Sequence, residues 1–344
     1  TRLGRWSRGL GDVYKRQLQS LSEAAILSVN DNTLRVTNLT GHKLISGYPE
    51  GRRMWLNIKW YDEYDKLLRE DGAYGPIGLS ITNPAGGPDV AVESLINPDD
   101  SNTRVFEAHY GITQEWAAKL ISVSADYADL VVEYDRITGN PLLTLADIAT
   151  QAAGTSHESF HFVLNDTVIK DNRIPPYGMQ YEKARQRNAL PVPATQYGDP
   201  AGSGTYNHFD EVTLNPPAEA AYATIDLLYQ GTSWEYVQFL NKANNGQSAF
   251  LGQEGINMLE AWLNTGMAAP VVMASDVWLE DGKVSTGDIN GDNTVNLGDA
   301  IVVLKILTDQ TTDIGTIQKE AALEEETITL SDALSILDKV LENP

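Results

Sequence analysis

The sequence predicts a mainly β protein, a β-sandwich with inserted helices and long loops, followed by a small α-helical domain. Three features predict it. Over most of the chain apolar and polar residues alternate in short runs between turn residues, the period of a half-buried strand. Two segments late in that region switch to apolar spacings of three and four, the period of a helix. Near residue 280 the composition turns acidic and a 33-residue repeat begins. These shifts divide the 344 residues into a leader at 1–17, a β-sandwich domain at 18–278 and a small helical domain at 279–344.

The leader holds five basic residues and one acidic one in a chain of formal charge −22, so the remainder carries −26. Residues 1–17 show no periodicity and resemble translated sequencing adapter, which makes a non-native leader the expectation for them. The strong negative charge repels phosphate and anionic lipid, and nucleic acid is not an expected partner. No apolar run approaches the roughly 18 residues of a membrane span. With no cysteine, the chain can form no disulfide, thiolate metal site or covalently attached c-type haem.

In chain order, Thr33–Thr37 alternates and ends in the turn Asn38-Leu-Thr-Gly41. Met54, Leu56, Ile58 and Trp60 form one strand face, with Asn57 and Lys59 opposite. Leu130–Tyr134 and Ala221–Tyr229 read as strands in the same way. Gly178–Gly204, rich in Pro, Gly and polar residues, reads as a long surface loop. Ser233–Leu240 and Gly252–Leu263 carry the helical spacing, and Trp234, Tyr236 and Trp262 within them read as core. Asn38-Leu-Thr40 and Asn165-Asp-Thr167 match the glycosylation acceptor pattern, the second on a strand.

His157-Glu158-Ser159-Phe160-His161 fits H-E-x-x-H. On a helix, residues four apart share a face about 6 Å apart, and both imidazoles reach one zinc. On a strand they stand about 13 Å apart and cannot. Phe160, Phe162 and Leu164 alternate, no helix-forming run follows, and no third ligand stands at a suitable spacing. Two histidines at a strand start are the favoured reading. His42, in Gly41-His42-Lys43, is a candidate to face a neighbouring haem, against the blander turn histidine bonded to backbone. His109 has the same two readings. Arg52 and Arg53 beside Glu50 read as an ion pair entering a strand, with a haem propionate or glycan acid as the alternative ligand. Asp171–Gly178 reads as a rigid loop whose polar groups bond their own backbone.

The strongest motif is Asp288-Ile-Asn-Gly-Asp-Asn-Thr-Val-Asn-Leu-Gly-Asp299. Asp288, Asn290, Asp292, Asn296 and Asp299 put oxygen side chains at positions 1, 3, 5, 9 and 12 of a twelve-residue loop, and Thr294 at position 7 offers its carbonyl. That spacing wraps hard oxygen ligands around calcium as the chain enters a helix. Asn296–Leu304 recurs as Thr329–Leu337. In the second copy Ala321 and Leu323 replace oxygens at positions 1 and 3, so its calcium site is expected to be weak or empty.

The loop, the helix after it and the repeat resemble a dockerin over about 285–341. Asp299 agrees with that family's Asp at position 12. The resemblance implies a cohesin-type scaffold, or a neighbouring subunit, as partner, met by the residues at positions 10 and 11: Leu297, Gly298, Leu330 and Ser331. Packing at a helix start is the alternative role for the two leucines. The blocks Asn38–Asp62, Val105–Ile112, Leu164–Met179, Leu227–Leu240 and Leu259–Ser275 are similar, in the same order, to the C-terminal non-haem part of extracellular multihaem c-type cytochromes. That resemblance implies a β-rich accessory domain outside the cell or on its surface, with a multihaem cytochrome as a further partner. The expectation is therefore a non-catalytic extracellular assembly protein with calcium as its cofactor. The rival readings are a dockerin-borne hydrolase, either zinc protease or glycosidase, and a structural subunit of a self-assembling surface filament.

Overall fold

The computed structural model of the chain describes residues 15–45, 47–244, 246, 249–280, 286–291, 294–308, 317–323 and 327–342. The contacts divide the chain into two compact units, one formed by 1–219 with 223–277 and the other by 220–222 with 278–344. Residues 1–14 of the expected leader lie outside the described residues, and 15–22 are helical.

The first unit is rich in strands, arranged in several antiparallel sheets with no closed barrel among the described residues. β1 (Ala25–Asn30), β2 (Thr33–Asn38) and β12 (Phe209–Thr213) form a three-stranded sheet. The alternation expected for Thr33–Thr37 is there: Leu34 and Val36 are fully buried while Thr33 and Arg35 are exposed. The largest sheet runs β10 (Ser156–Glu158), β7 (Val105–Thr113), β3 (Arg53–Tyr61), β13 (Tyr222–Gln230) and β14 (Val271–Leu279). β11 (Thr167–Asp171) also pairs with β7, and β4 (Leu67–Asp71) with β3. Two hairpins complete the strands: β5 (Tyr74–Ile81) with β6 (Val90–Leu95), and β8 (Val131–Tyr134) with β9 (Pro141–Thr144).

β3 departs from the one-sided strand its alternation implies. Met54, Leu56, Ile58 and Trp60 are buried on one face, but Trp55 is fully buried and Asn57 nearly so on the other. The strand is central and covered on both sides, so its second face is apolar or hydrogen-bonded. Asn57 meets that requirement by donating to the carbonyls of Asp71 and Gly72. The helices fall where the spacing changes, at Trp234–Ala243 and Glu254–Asn264. Ser233 caps the first by accepting from the amide of Tyr236. Their apolar stripes meet in a cluster of Val92, Trp234, Val237, Leu259, Trp262 and Leu263. Burying side chains of this size contributes about 1.5–3 kcal/mol each.

Three local expectations are corrected. Residues 159–166 form turns rather than the strand suggested by Phe160, Phe162 and Leu164; the amide of Leu164 bonds the carbonyl of His161, and Phe162 is exposed. Gly178–Gly204 is not simply a surface loop. It contains a helix at Tyr181–Gln186 and buries Ala184 and Tyr197. Asn38 is 2% exposed and donates from Nδ2 to the carbonyls of His42, Ile174 and Pro175, which closes it to a glycan.

The second unit is built around two helices, Leu297–Leu307 and Leu330–Glu342. Ile289, Ala300, Val302, Val303, Ala321, Ala333 and Ile336 form its core. Two backbone bonds join the loops that precede the helices, from Gly287 to Ala321 and from Gln318 to Ile289.

Candidate functional site

Two places in the chain concentrate polar chemistry. The first is a cavity of about 530 Å³ in the first unit, lined by β7, β8, β10 and the helix that follows Ser233. Its charges come from strand register. Arg53 on β3 stands opposite Glu107 on β7, and Lys170 on β11 stands opposite His109. Glu107 and His109, two apart on one strand, project from the same face. Lys170 Nζ reaches Glu107 Oε1 at 2.8 Å, and His109 Nε2 reaches Glu107 Oε2 at 3.0 Å. The other imidazole nitrogen of His109 contacts Glu158 Oε1.

A second ion group also lines the cavity. Glu235, in the first turn of its helix, sits 2.7 Å from Arg136 Nε and 3.4 Å from an Nη atom of Arg53. Arg53 is 4% exposed and fully engaged, donating also to Gln230 and Ser94. Arg53 does form an ion pair at the strand entrance, but its acid is the distant Glu235 rather than the neighbouring Glu50. Gly51, at φ +68°, brings the chain past Tyr236; a Cβ there would lie 2.4 Å from the tyrosine Cβ.

These neighbours set the protonation of the site. Burial works against charge on His109, but Glu107 and then Glu158 outweigh it and push the imidazole up to about 10. Burial likewise opposes ionisation of Glu107, and His109 and Lys170 reverse it, holding the carboxyl well below the usual range. The same contest leaves Glu235 lowered by Arg53 and Arg136. Glu50 behaves differently. It is 4% exposed, one carboxylate oxygen lacks a hydrogen-bond partner, and burial drives it up to about 7.

The H-E-x-x-H histidines do not converge, and of the two only His157 lines the cavity. His157 Nε2 pairs with Gln151 Oε1 at 2.6 Å, while His161 Nε2 pairs with the Val131 carbonyl at 2.8 Å. His42 is exposed in a turn, its Nδ1 close to Thr40 Oγ1 and the Lys43 carbonyl. The polar side chains of Asp171–Gly178 bond one another and other parts of the chain rather than the loop's own backbone. Asp171 pairs with Lys43 as well as Arg173, and Asn172 bridges the backbone of Val105 and Glu107.

The second place is the loop 288–299. Asp288 and Asp299 are 2% and 0% exposed. Asp299 accepts from the amides of Asn290 and Asn296 at 3.0 and 2.8 Å, and Asp288 accepts from Gly291 at 2.9 Å. Asn296 caps the helix by accepting from Gly298 and lies beside Thr294. Asp292 lies outside the described residues. The same pattern recurs 33 residues on: Asp332 accepts from the amides of Leu323 and Thr329 at 2.6 and 2.7 Å. The two copies differ at position 1, where buried Asp288 is replaced by Ala321, a member of the core cluster. An oxygen-only donor set with two buried carboxylates fits a hard divalent cation in the first copy, and an apolar first position does not in the second. Among the described residues no group of three or more His, Asp or Glu side chains is arranged to hold a metal ion. Leu297, Leu330 and Ser331 are exposed, and Gly298 is half-buried.

The charged wall of the cavity was only partly visible in the sequence. His109, Arg53 and Glu50 were singled out there, and Glu158 only as part of H-E-x-x-H; Arg136, Lys170 and Glu235 were not, because they join through pairing between distant segments. The one available signal was the i, i+2 placement of Glu107 and His109 on a strand.

No family model matches the chain, and no curated protein does. Among solved structures, a penta-heme cytochrome c552 from Thermochromatium tepidum is similar with a TM-score of 0.34 and 13% identity. The likeness covers 76% of this chain, which spans 41% of the length of that protein. It is a weak structural link to multihaem cytochromes and assigns neither fold nor activity.

Proposed function

We propose that the chain is a non-catalytic accessory protein of an extracellular or cell-surface assembly. A β-rich unit, read as a sandwich with inserted helices, is delivered to a cohesin-type scaffold or a neighbouring subunit by a dockerin-like unit that depends on calcium. The observation that carries this reading is the repetition of the aspartate caps. Asp299 and Asp332 each tie the amides nine and three residues before them, at a spacing of 33, and each opens a helix. A duplicated loop-helix with two buried carboxylates in the first copy and one in the second is the arrangement expected of a docking module ordered by calcium at one loop.

The exposed face supports docking. Leu297 and Leu330 are 54% and 57% exposed, and Ile301 and Leu334, again 33 apart, are 45% and 57% exposed. Apolar side chains repeated in this way outside a packed core suit a protein partner. Asp288, Asn290, Asp292, Asn296 and Asp299, with the Thr294 carbonyl, would hold the ion. Bound calcium would neutralise the acidic side chains of the loop and order it at the start of the first helix. Association with multihaem cytochromes rests on the sequence blocks quoted above. Pull-down with a panel of cohesins, with and without calcium, tests the proposal. Calcium-dependent capture by at least one, lost in Leu297→Asp with Leu330→Asp, is expected; calcium-independent capture would defeat it.

A further inference from the structure

We propose that the cavity in the first unit is a binding site for a short, uncharged oligosaccharide. This goes beyond the docking role, and nothing in it depends on the second unit. Eleven of the 23 residues lining the cavity are charged once His109 is counted, five basic and six acidic, so an aliphatic or lipid ligand would leave most of that lining unmatched. The key cations already have acids: Lys170 has Glu107, while Arg53 and Arg136 share Glu235. An anionic ligand that used these cations would have to break one of these pairs, and a neutral one need not. What the network offers is fixed donors and acceptors held side by side, the complement of neighbouring hydroxyl groups.

Aromatic rings supply the remaining requirement. Phe160, Tyr134 and Phe239 line the same cavity. From Phe160 the rings continue outward to Tyr236 at 5.3 Å, then to Tyr48 at 6.5 Å and Phe162 at a further 5.6 Å. Tyr48 and Phe162 are 45% and 61% exposed, an aromatic run leading from the cavity wall to solvent. A sugar ring presents apolar C–H faces to such rings and hydroxyl edges to charged groups, so one ligand class satisfies both walls. The cavity volume lies in the range of small-ligand sites.

The test is calorimetric titration of the full chain with cellobiose, xylobiose, mannobiose, maltose and diacetylchitobiose, with digalacturonate as the acidic control. Saturable binding of at least one neutral sugar is expected, unchanged by EDTA. That insensitivity separates this site from the calcium-dependent unit. Glu158→Gln and Tyr134→Ala should each weaken binding at least tenfold; Glu158→Gln keeps the side-chain volume, so the test survives if Tyr134→Ala fails to fold. Binding of no neutral sugar, tighter binding of digalacturonate than of every neutral one, or an affinity unmoved by Glu158→Gln would overturn the proposal.

Discussion

Replacing Glu50 by Gln should stabilise the protein, and only above mildly acidic pH. Burial raises this carboxyl most, Glu158 adds to it and His109 offsets part, leaving it at about 7 against an ordinary 4.5. Between those values the folded state holds a proton that the unfolded state has released. Stability therefore falls as pH rises through the window. At about 1.4 kcal/mol per pH unit, the separation amounts to about 3 kcal/mol once Glu50 is ionised in both states. The groups around it are His109, Glu158, Tyr48, Tyr110 and Tyr236. Of these, the imidazole stays charged up to about 10 and the tyrosines are all raised, so the difference between the two proteins isolates Glu50. Urea unfolding of both at pH 5 and pH 8 should give a small difference at pH 5 and a gain of about 2–3 kcal/mol for Glu50→Gln at pH 8. An equal difference at the two pH values, or a loss at pH 8, would refute the assignment of Glu50 as a buried acid without an adequate partner.

Three further outcomes follow from the same geometry. Asp332→Ala strips the acceptor from the amides of Leu323 and Thr329 and should destabilise the second unit by about 1–3 kcal/mol in denaturant unfolding. Arg53→Met leaves Glu235, Gln230 and Ser94 without their shared donor and should lower stability by about 3 kcal/mol; a loss under 1 kcal/mol would mark the pair as peripheral. His157→Ala combined with His161→Ala should leave zinc content by mass spectrometry unchanged, since each imidazole bonds elsewhere; a stoichiometric zinc lost in the double variant would restore the protease reading.

Much of the fold was legible because local periodicity reports burial. Leu34 and Val36 alternate with exposed neighbours, and the helices after Ser233 and near Glu254 begin where the apolar spacing changes. Period alone misled in two ways. β3 alternates in sequence yet is buried on both faces, because Trp55 and Asn57 are covered by chain far away in sequence. Phe160, Phe162 and Leu164 alternate but lie in no strand, and the segment turns. The loop 288–299 was readable because its polar pattern lies within twelve consecutive residues. The cavity was not, because Arg53, Glu107, Lys170 and Glu235 come from four separated segments and only strand register and helix packing bring them together. Asn38 shows the same limit from the other side: its acceptor triplet is intact, and tertiary hydrogen bonds remove it from solvent.

Calcium titration of the full chain tests the central claim most directly. Asp288 and Asp299 are buried in the first loop, while Ala321 occupies the matching place in the second. One calcium per chain should bind tightly, lost in Asp288→Ala, and its removal should unfold the second unit while the near-ultraviolet signal of the buried Trp55, Trp60 and Trp234 persists. No calcium bound, two bound with equal affinity, or normal binding by Asp288→Ala would contradict the account.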